Sequence, residues 1–380
     1  MADRETEIIA RIAPGVSSVD STEWDGLGAT DPFVSHAFLT TLQETGSVGE
    51  DTGWSPAPIL IEDERDHLLA AAPAYLKSHS QGEYVFDHGW AEAWERAGGQ
   101  YYPKLQIAVP FTPVPGRRLL GCRPQQLLMA AEAITQQNHL SSAHVTFLDE
   151  QDTLEAERRG WLIRHGIQYH WLNRGYSNFD DFLAALRHSK RKSIRKERRE
   201  ANNGLEVRIL RGDKIGQAEW DAMWAFYQDT GSRKWGRPYL TRAFFDLIGE
   251  RLGDSVLLFL ALRGGQPVAG ALNFIGSDTL FGRYWGCVED VPFLHFELCY
   301  YRAIEWAIDH GLGSVQAGAQ GEHKVARGYQ PVQTRSAHFI PNRSFREAVA
   351  QFLETEREGV SAEIDWLSRE LPYRSDSSSE

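Results

Sequence analysis

VLLFLALRGGQPVAGALNFIGSDTLFGRYWG, residues 256–286, holds the pattern that decides the fold. Two apolar runs, 256–262 and 267–275, flank Arg263, Gly264, Gly265 and Gln266, a glycine-containing turn of hairpin length. After Gly276, Ser277 and Asp278 a further strand-like run covers 279–286. Apolar spacing then predicts a helix over 296–310 and a strand over 314–319. Hairpin, strand, helix, strand is an α/β order with a mixed sheet.

The chain before this stretch reads as a strand over 168–173, a long helix over 178–201, a strand over 206–210, and helices at 220–228 and 242–252. Ser177 with Asp180 forms a capping box for the long helix. The first half runs through a similar order. A strand at 7–12 and helices around Trp24 and at 36–42 lead into a hairpin, 57–62 with 68–77. An aromatic loop and helix occupy 83–99, and a strand covers 102–109. A loop with Pro110, Pro113 and Pro115 follows, then a helix over 123–138, a strand over 143–148 and a helix over 154–165. Leu127 and Leu298 begin matching helices, and His139 and His310 end them at the same separation. This points to two copies of one fold. The expected division is a first domain over 1–166, a second over 167–340, a C-terminal helix over 341–372 and a disordered tail over 373–380. Ser344 and Glu347 cap that helix, and Phe345, Val349, Phe352, Leu353, Val360, Ile364 and Leu367 form its apolar stripe.

A length of 380 residues suits two domains, and 42% hydrophobic residues suffice for their cores. A net charge of −12 excludes a general nucleic-acid binder, so a polyanion would need a local basic patch. Cys122, Cys287 and Cys299 lack disulfide or zinc spacing, and the scattered histidines lack ligand spacing, so no metal is expected. The first residues are too polar for a signal peptide, and no run of about 18 apolar residues is present. A cytoplasmic protein without a membrane span is expected; the oligomeric state is not legible.

The element order is that of the acetyltransferase (GNAT) fold, in which the fourth strand splays from the fifth. The strings HGWAEAWERAGGQYYPKLQIAVPFTPVPGRRLL, SKRKSIRKERRE, HFELCYYRAIEWAI and QGEHKVARGY resemble the FemAB-like family of N-acyltransferases, named for peptidoglycan biosynthesis and recognition. That family is similar to the Fem-type aminoacyltransferases, with twin acetyltransferase-like domains. The resemblance implies transfer of an amino acid from aminoacyl-tRNA to an amine of a cell-wall precursor.

Four segments can carry chemistry. In RHSKRKSIRKERR, residues 187–199, like charges crowd one helix, and an anion would relieve them. Lys190, Arg191, Arg195 and Arg198 are its expected phosphate ligands. Glu322 and His323 can take a proton from an attacking amine, while Lys324, Arg327 and Tyr329 can bind substrate. Glu297 is a further proton acceptor, with His295 beside it and Tyr284 and Trp285 of the preceding strand able to wall the same substrate cleft. Asp87, His88 and Trp90 can line a groove in the first half. Arg117 and Arg118 sit where a coenzyme A pyrophosphate would lie.

The expected activity is direct acyl or aminoacyl transfer to an amine, with no tightly bound cofactor and with aminoacyl-tRNA or acyl-CoA as co-substrate. The acceptor is an amine-bearing small molecule or cell-wall precursor. The alternatives are an acyl-CoA-dependent acetyltransferase and a non-catalytic protein that binds a peptidoglycan fragment or RNA.

Overall fold

In the computed structural model Val256–Arg263 pairs antiparallel with Gln266–Ile275, which pairs in turn with Thr279–Cys287. Residues 8–29, 31–234, 238–318 and 321–374 are described, without the side chains of 231–234 and of Glu322. Thr279–Cys287 then runs parallel to Ser314–Gln316, but only Thr279, Leu280 and Phe281 pair with Ser314, Val315 and Gln316. Among the described residues the pairing with Ser314–Gln316 does not continue beyond Phe281. Gly286 lies in the second half of Thr279–Cys287 because helix Gln217–Lys234 crosses it: a Cβ would stand 2.0 Å from the Phe226 carbonyl oxygen.

Two compact units form, Met1–Gly166 with Thr334–Val360, and Ile167–Gln333 with Ser361–Glu380. In the second unit the strand order is Glu206–Arg211, Val256–Arg263, Gln266–Ile275, Thr279–Cys287, Ser314–Gln316 and the later part of Leu162–Leu172. Trp171, Phe182, Phe259, Leu298 and Tyr301 are buried at its centre. Each such side chain contributes about 1.5–3 kcal/mol by leaving water.

The first unit repeats the scheme. Ile59–Asp63 and Leu68–Ala72 form the hairpin, and Pro73 breaks the second run. Beyond it Ala74–Lys77 enters a second sheet, beside Lys104–Ile107. Lys104–Ile107 runs parallel to Ala143–Leu148, with helix Pro124–Gln137 as the crossover, as Thr279–Cys287 does with Ser314–Gln316.

Several expectations are corrected. The helix placed over 154–165 ends at Arg158; Gly160, at φ 74°, turns the chain into a strand that starts at Leu162. Gln330–Phe339, not foreseen, is a strand whose residues from Arg335 onward pair with Ala143–Leu148. Residues 334–340 therefore pack with the first unit, and the terminal helix Arg343–Arg369 is divided between the units at Val360. Asn342, not Ser344, caps that helix by accepting from the Phe345 N–H at 3.0 Å. On its stripe Phe345, Val349, Leu353 and Leu367 are buried, whereas Phe352 is exposed.

The long helix over 178–201 is two helices, Phe179–Ala185 and His188–Ala201. Asn178 caps the first by accepting from the Asp181 N–H. Leu186 is extended and bridges to Tyr373, while the Arg187 N–H donates to the Pro372 carbonyl and the Arg374 N–H to the Ala185 carbonyl. The chain end thus interrupts the helix. Tyr373 and Arg374 are ordered, against the expected tail; residues 375–380 lie outside the described residues, as does Ala319 at the expected end of a strand.

Candidate functional site

The second unit gathers one cluster of chemistry-bearing side chains. It is built by a π-turn and a 3-10 turn. Glu297–Tyr301 is a π-turn between Leu294–Phe296 and helix Arg302–Asp309, and such turns recur at functional sites because they rotate side chains out of helical register. The 3-10 turn Glu322–Arg327 follows the strand Ser314–Gln316. Gly328 ends it at φ 93°, where a Cβ would also strike the Phe182 ring at 2.9 Å.

These turns bring His323 to Tyr300, whose Oη shares a 2.8 Å hydrogen bond with His323 Nε2. The His323 side is exposed, and burial raises the Tyr300 phenol well above its ordinary value. His295 packs at 5.2 Å from the Tyr300 ring and at 6.3 Å from His323. Lys324 is only 2% exposed and donates to the Gly318 carbonyl at 2.8 Å. Burial pushes its amine down to about 7. Among the described residues no carboxylate pairs with it. Arg327 stacks on Phe296 at 3.5 Å and donates to the His323 carbonyl at 2.8 Å and to Glu197 at 3.0 Å. Tyr329 is fully buried, 5.4 Å from the Tyr300 ring, and its hydroxyl has no hydrogen-bond partner among the described residues. The Glu322 side chain lies outside the described residues.

Two participants were missed by the sequence reading. Tyr300 gave no signal beyond the pair of tyrosines at 300–301. Glu197, an acid within the basic run, accepts from both Arg327 and the Tyr301 hydroxyl, tying the helix His188–Ala201 to the cluster.

That helix divides its cations between two faces. Inward, Arg198 binds Glu297 at 3.0 Å and Glu305 at 2.7 Å. Outward, Arg191, Lys192, Arg195, Lys196 and Arg199 line a surface groove of about 530 Å³, and Lys190 is half-buried beside them. Asp180 and Glu200 are the carboxylates paired with this face, through Arg195 and Lys196.

Other expected site residues are placed elsewhere. Glu297 is fully buried between Arg198 and Arg302, the latter at 2.8 Å, so its carboxylate anchors the basic helix instead of facing a ligand. Tyr284 packs on Tyr227 at 5.4 Å and Phe245, away from His323. In the first unit Asp87 and Trp90 are buried, while His88 is exposed and stacks on Phe86. Arg118 is buried with its guanidinium on the Val114 and Arg117 carbonyls, and Arg117 donates to the Leu119 carbonyl at 2.8 Å. Both arginines brace their own loop and are not presented as a phosphate cradle.

A hairpin, a parallel strand pair and a crossover helix, present in each unit, define a tandem acetyltransferase-like α/β protein. The chain belongs to the FemAB-like family, described as peptidoglycan biosynthesis/recognition, which it matches over residues 15–375. No curated protein matches the sequence. Among solved structures FemX is similar, with TM-score 0.54 and 13% identity, covering 87% of this chain and 98% of that one. The C-terminal domain of a protein assigned as a lysylphosphatidylglycerol synthetase from Agrobacterium fabrum has TM-score 0.54 and 10% identity, covering 90% and 96%. L-PGS from Bacillus licheniformis has TM-score 0.51 and 10% identity, covering 91% and 98%. At such identities the likeness is one of fold. Among the described residues no helix is long and apolar enough to cross a membrane, and no group of His, Cys, Asp and Glu could hold a metal.

Proposed function

We propose that the chain is an aminoacyl- or acyltransferase that delivers an activated acyl group to an amine of a peptidoglycan precursor, acting in the cytoplasm. The observation that carries this reading is the buried Lys324, paired with no carboxylate among the described residues, beside His323 and Tyr300 and joined through Glu197 to a helix with a basic outer face. Family membership supports a peptidoglycan precursor as the acceptor.

The chemistry needs little from the protein beyond placement and charge. The acceptor nitrogen attacks the carbonyl carbon of the donor ester, a C–N bond forms and the ester C–O bond breaks. The amine loses one proton and the leaving oxygen gains one. His323 is the group placed to carry it, with Tyr300 holding the imidazole. Lys324 and Arg327 offer N–H donors to the oxyanion or to a donor phosphate. The outer face of His188–Ala201 suits the phosphates of a tRNA donor. The bracing role of Arg117 and Arg118 gives no support to coenzyme A as donor.

A transfer assay comparing aminoacyl-tRNA with acyl-CoA, each with and without ribonuclease, tests the donor. RNase-sensitive transfer is expected. His323→Ala should slow it by about a hundredfold or more. An unchanged rate in that variant would remove His323 from the mechanism, and ribonuclease-resistant transfer would exclude tRNA.

A further inference from the structure

The first unit buries a second set of charged groups that the proposed chemistry does not use. Lys77 and Lys104 face each other in register on adjacent antiparallel strands, and both are 0% exposed. His144, beside Gln106 on the next strand, and His338, opposite His144, extend the row across the same face. Two lysines and two neutral histidines from four neighbouring strands thus lie together inside a sheet face. Like charges placed directly opposite repel, and burial raises the cost.

Their counter-charges come from neither the sheet nor a helix. Glu83 and Asp87 belong to the connecting segment 78–87, which has no helix or strand and bends through Gly82 at φ 81° and Tyr84 at φ 60°. Lys104 donates to Ser80 at 2.9 Å, to Glu83 at 2.8 Å and to Asp87. Lys77 lies 3.8 Å from Glu83, donates to the Gln81 carbonyl and sits over the Trp54 ring at 3.6 Å. Tyr101 donates to Asp87 at 2.7 Å, Tyr102 meets Ser80 at 2.8 Å, and the two histidines share an Nδ1–Nδ1 contact of 2.6 Å. The fit is incomplete. Glu83 Oε1, Asp87 Oδ1 and His338 Nε2 are buried without a hydrogen-bond partner among the described residues. Each such atom costs about 1–3 kcal/mol.

We infer that the basic row is an anion site of the first unit, that residues 78–87 form a strap which fills it, and that Glu83 and Asp87 occupy it in place of a small dianionic ligand. Two carboxylates on two lysines reproduce the charge of a phosphate monoester or a dicarboxylate. Burial raises Glu83 and lowers Lys77, so that pair is held loosely, whereas Lys104 and Asp87 each favour the charged form of the other. The strap contains no helix or strand residue, and lifting it would break the bonds that its Gly82 carbonyl accepts from the Phe111 N–H, its Phe86 carbonyl from Arg164, and its Asp87 carbonyl from the Trp90 and Ala91 N–H groups at the start of helix His88–Arg96. Displacing it would open an autoinhibited site, with Tyr101 and Ser142 as further hydroxyl donors nearby.

The test uses the full chain and two variants. Glu83→Gln with Asp87→Asn keeps the shape of the occupants and removes their charge. Lys77→Met and Lys104→Met added to that pair make the site neutral. Thermal unfolding is followed at a pH above 7 with inorganic phosphate or succinate, both then dianions, against chloride at matched ionic strength. The amide variant should bind one of these dianions at least about tenfold more tightly than the wild type, and the neutral variant should lose that binding. Response to phosphate alone identifies a phosphoryl ligand, and response to succinate alone a dicarboxylate. Should the amide variant fail to fold, recovery of folding by either dianion supports the site and failure to recover overturns it. A folded amide variant that responds to neither dianion more than to chloride also overturns it, as does equal binding by the neutral variant.

Discussion

Lys324 is a buried lysine with a carbonyl for a partner where a carboxylate would be usual. An anionic ligand would supply the missing charge and draw a proton onto the amine. Below about 7 the amine is already charged, and above it each pH unit adds a protonation cost of about 1.4 kcal/mol to anion binding. Affinity for a phosphate-bearing donor should therefore fall about tenfold per pH unit above 7, and Lys324→Met should bind weakly with no such slope; isothermal titration at several pH values checks both. In the first unit burial, then Lys104, drives His144 down to about 3, and burial with His144 drives His338 well below its ordinary value. Both folded values lie below the unfolded value near 6.5. Their stabilising contribution is complete above about 6.5 and is lost as pH falls toward 3. His338→Leu should flatten the acid limb of urea stability by up to about 1.4 kcal/mol per pH unit.

At the scale of the element, His188–Ala201 does two jobs with one composition. Reversing charge on its outer face, with Lys192→Glu, Arg195→Glu and Lys196→Glu, should leave folding intact, since these side chains are exposed. Filter binding to bulk tRNA should weaken, and the slope of log affinity against log salt should shrink by about 0.7–0.9 per lost phosphate contact. Arg198→Ala is the contrast. It strips Glu297 of one of two arginines in a buried pair and should cost about 3 kcal/mol in denaturant unfolding. Gly286→Ala tests the helix packed across the second half of its strand. The new Cβ meets backbone at 2.0 Å and cannot be relieved by a rotamer, so a loss of about 2–3 kcal/mol is expected.

For the whole molecule the consequential fact is that the first unit is discontinuous in sequence. Residues 1–166 lack the strand portion that pairs with Ala143–Leu148, together with Ile340, Phe345, Val349 and Leu353 of the core around Trp90 and Tyr101. A fragment ending at residue 166 should therefore aggregate or remain unfolded. Adding a peptide of residues 334–360 should restore a cooperative transition by circular dichroism. The proposed strap belongs to this unit, so its behaviour is best measured in the intact chain.

The periodic apolar runs were enough to foresee the hairpins, the crossover helices and the repetition of one scheme, because local alternation and helical spacing reflect burial directly. The strings around Trp90, in the basic run and in QGEHKVARGY were enough to point to the family. Chain-end pairing was not legible. Nothing near Leu186 announces that Pro372–Arg374 will interrupt a helix there, since the cause lies far off in sequence. Neither was the sorting of like residue types. Lys324 and Arg327 join His323, while Glu297 and Arg118, equally polar in sequence, are enclosed by structural partners. Composition supplies charge, but only tertiary contacts decide which charge is neutralised inside the protein and which is left for a ligand.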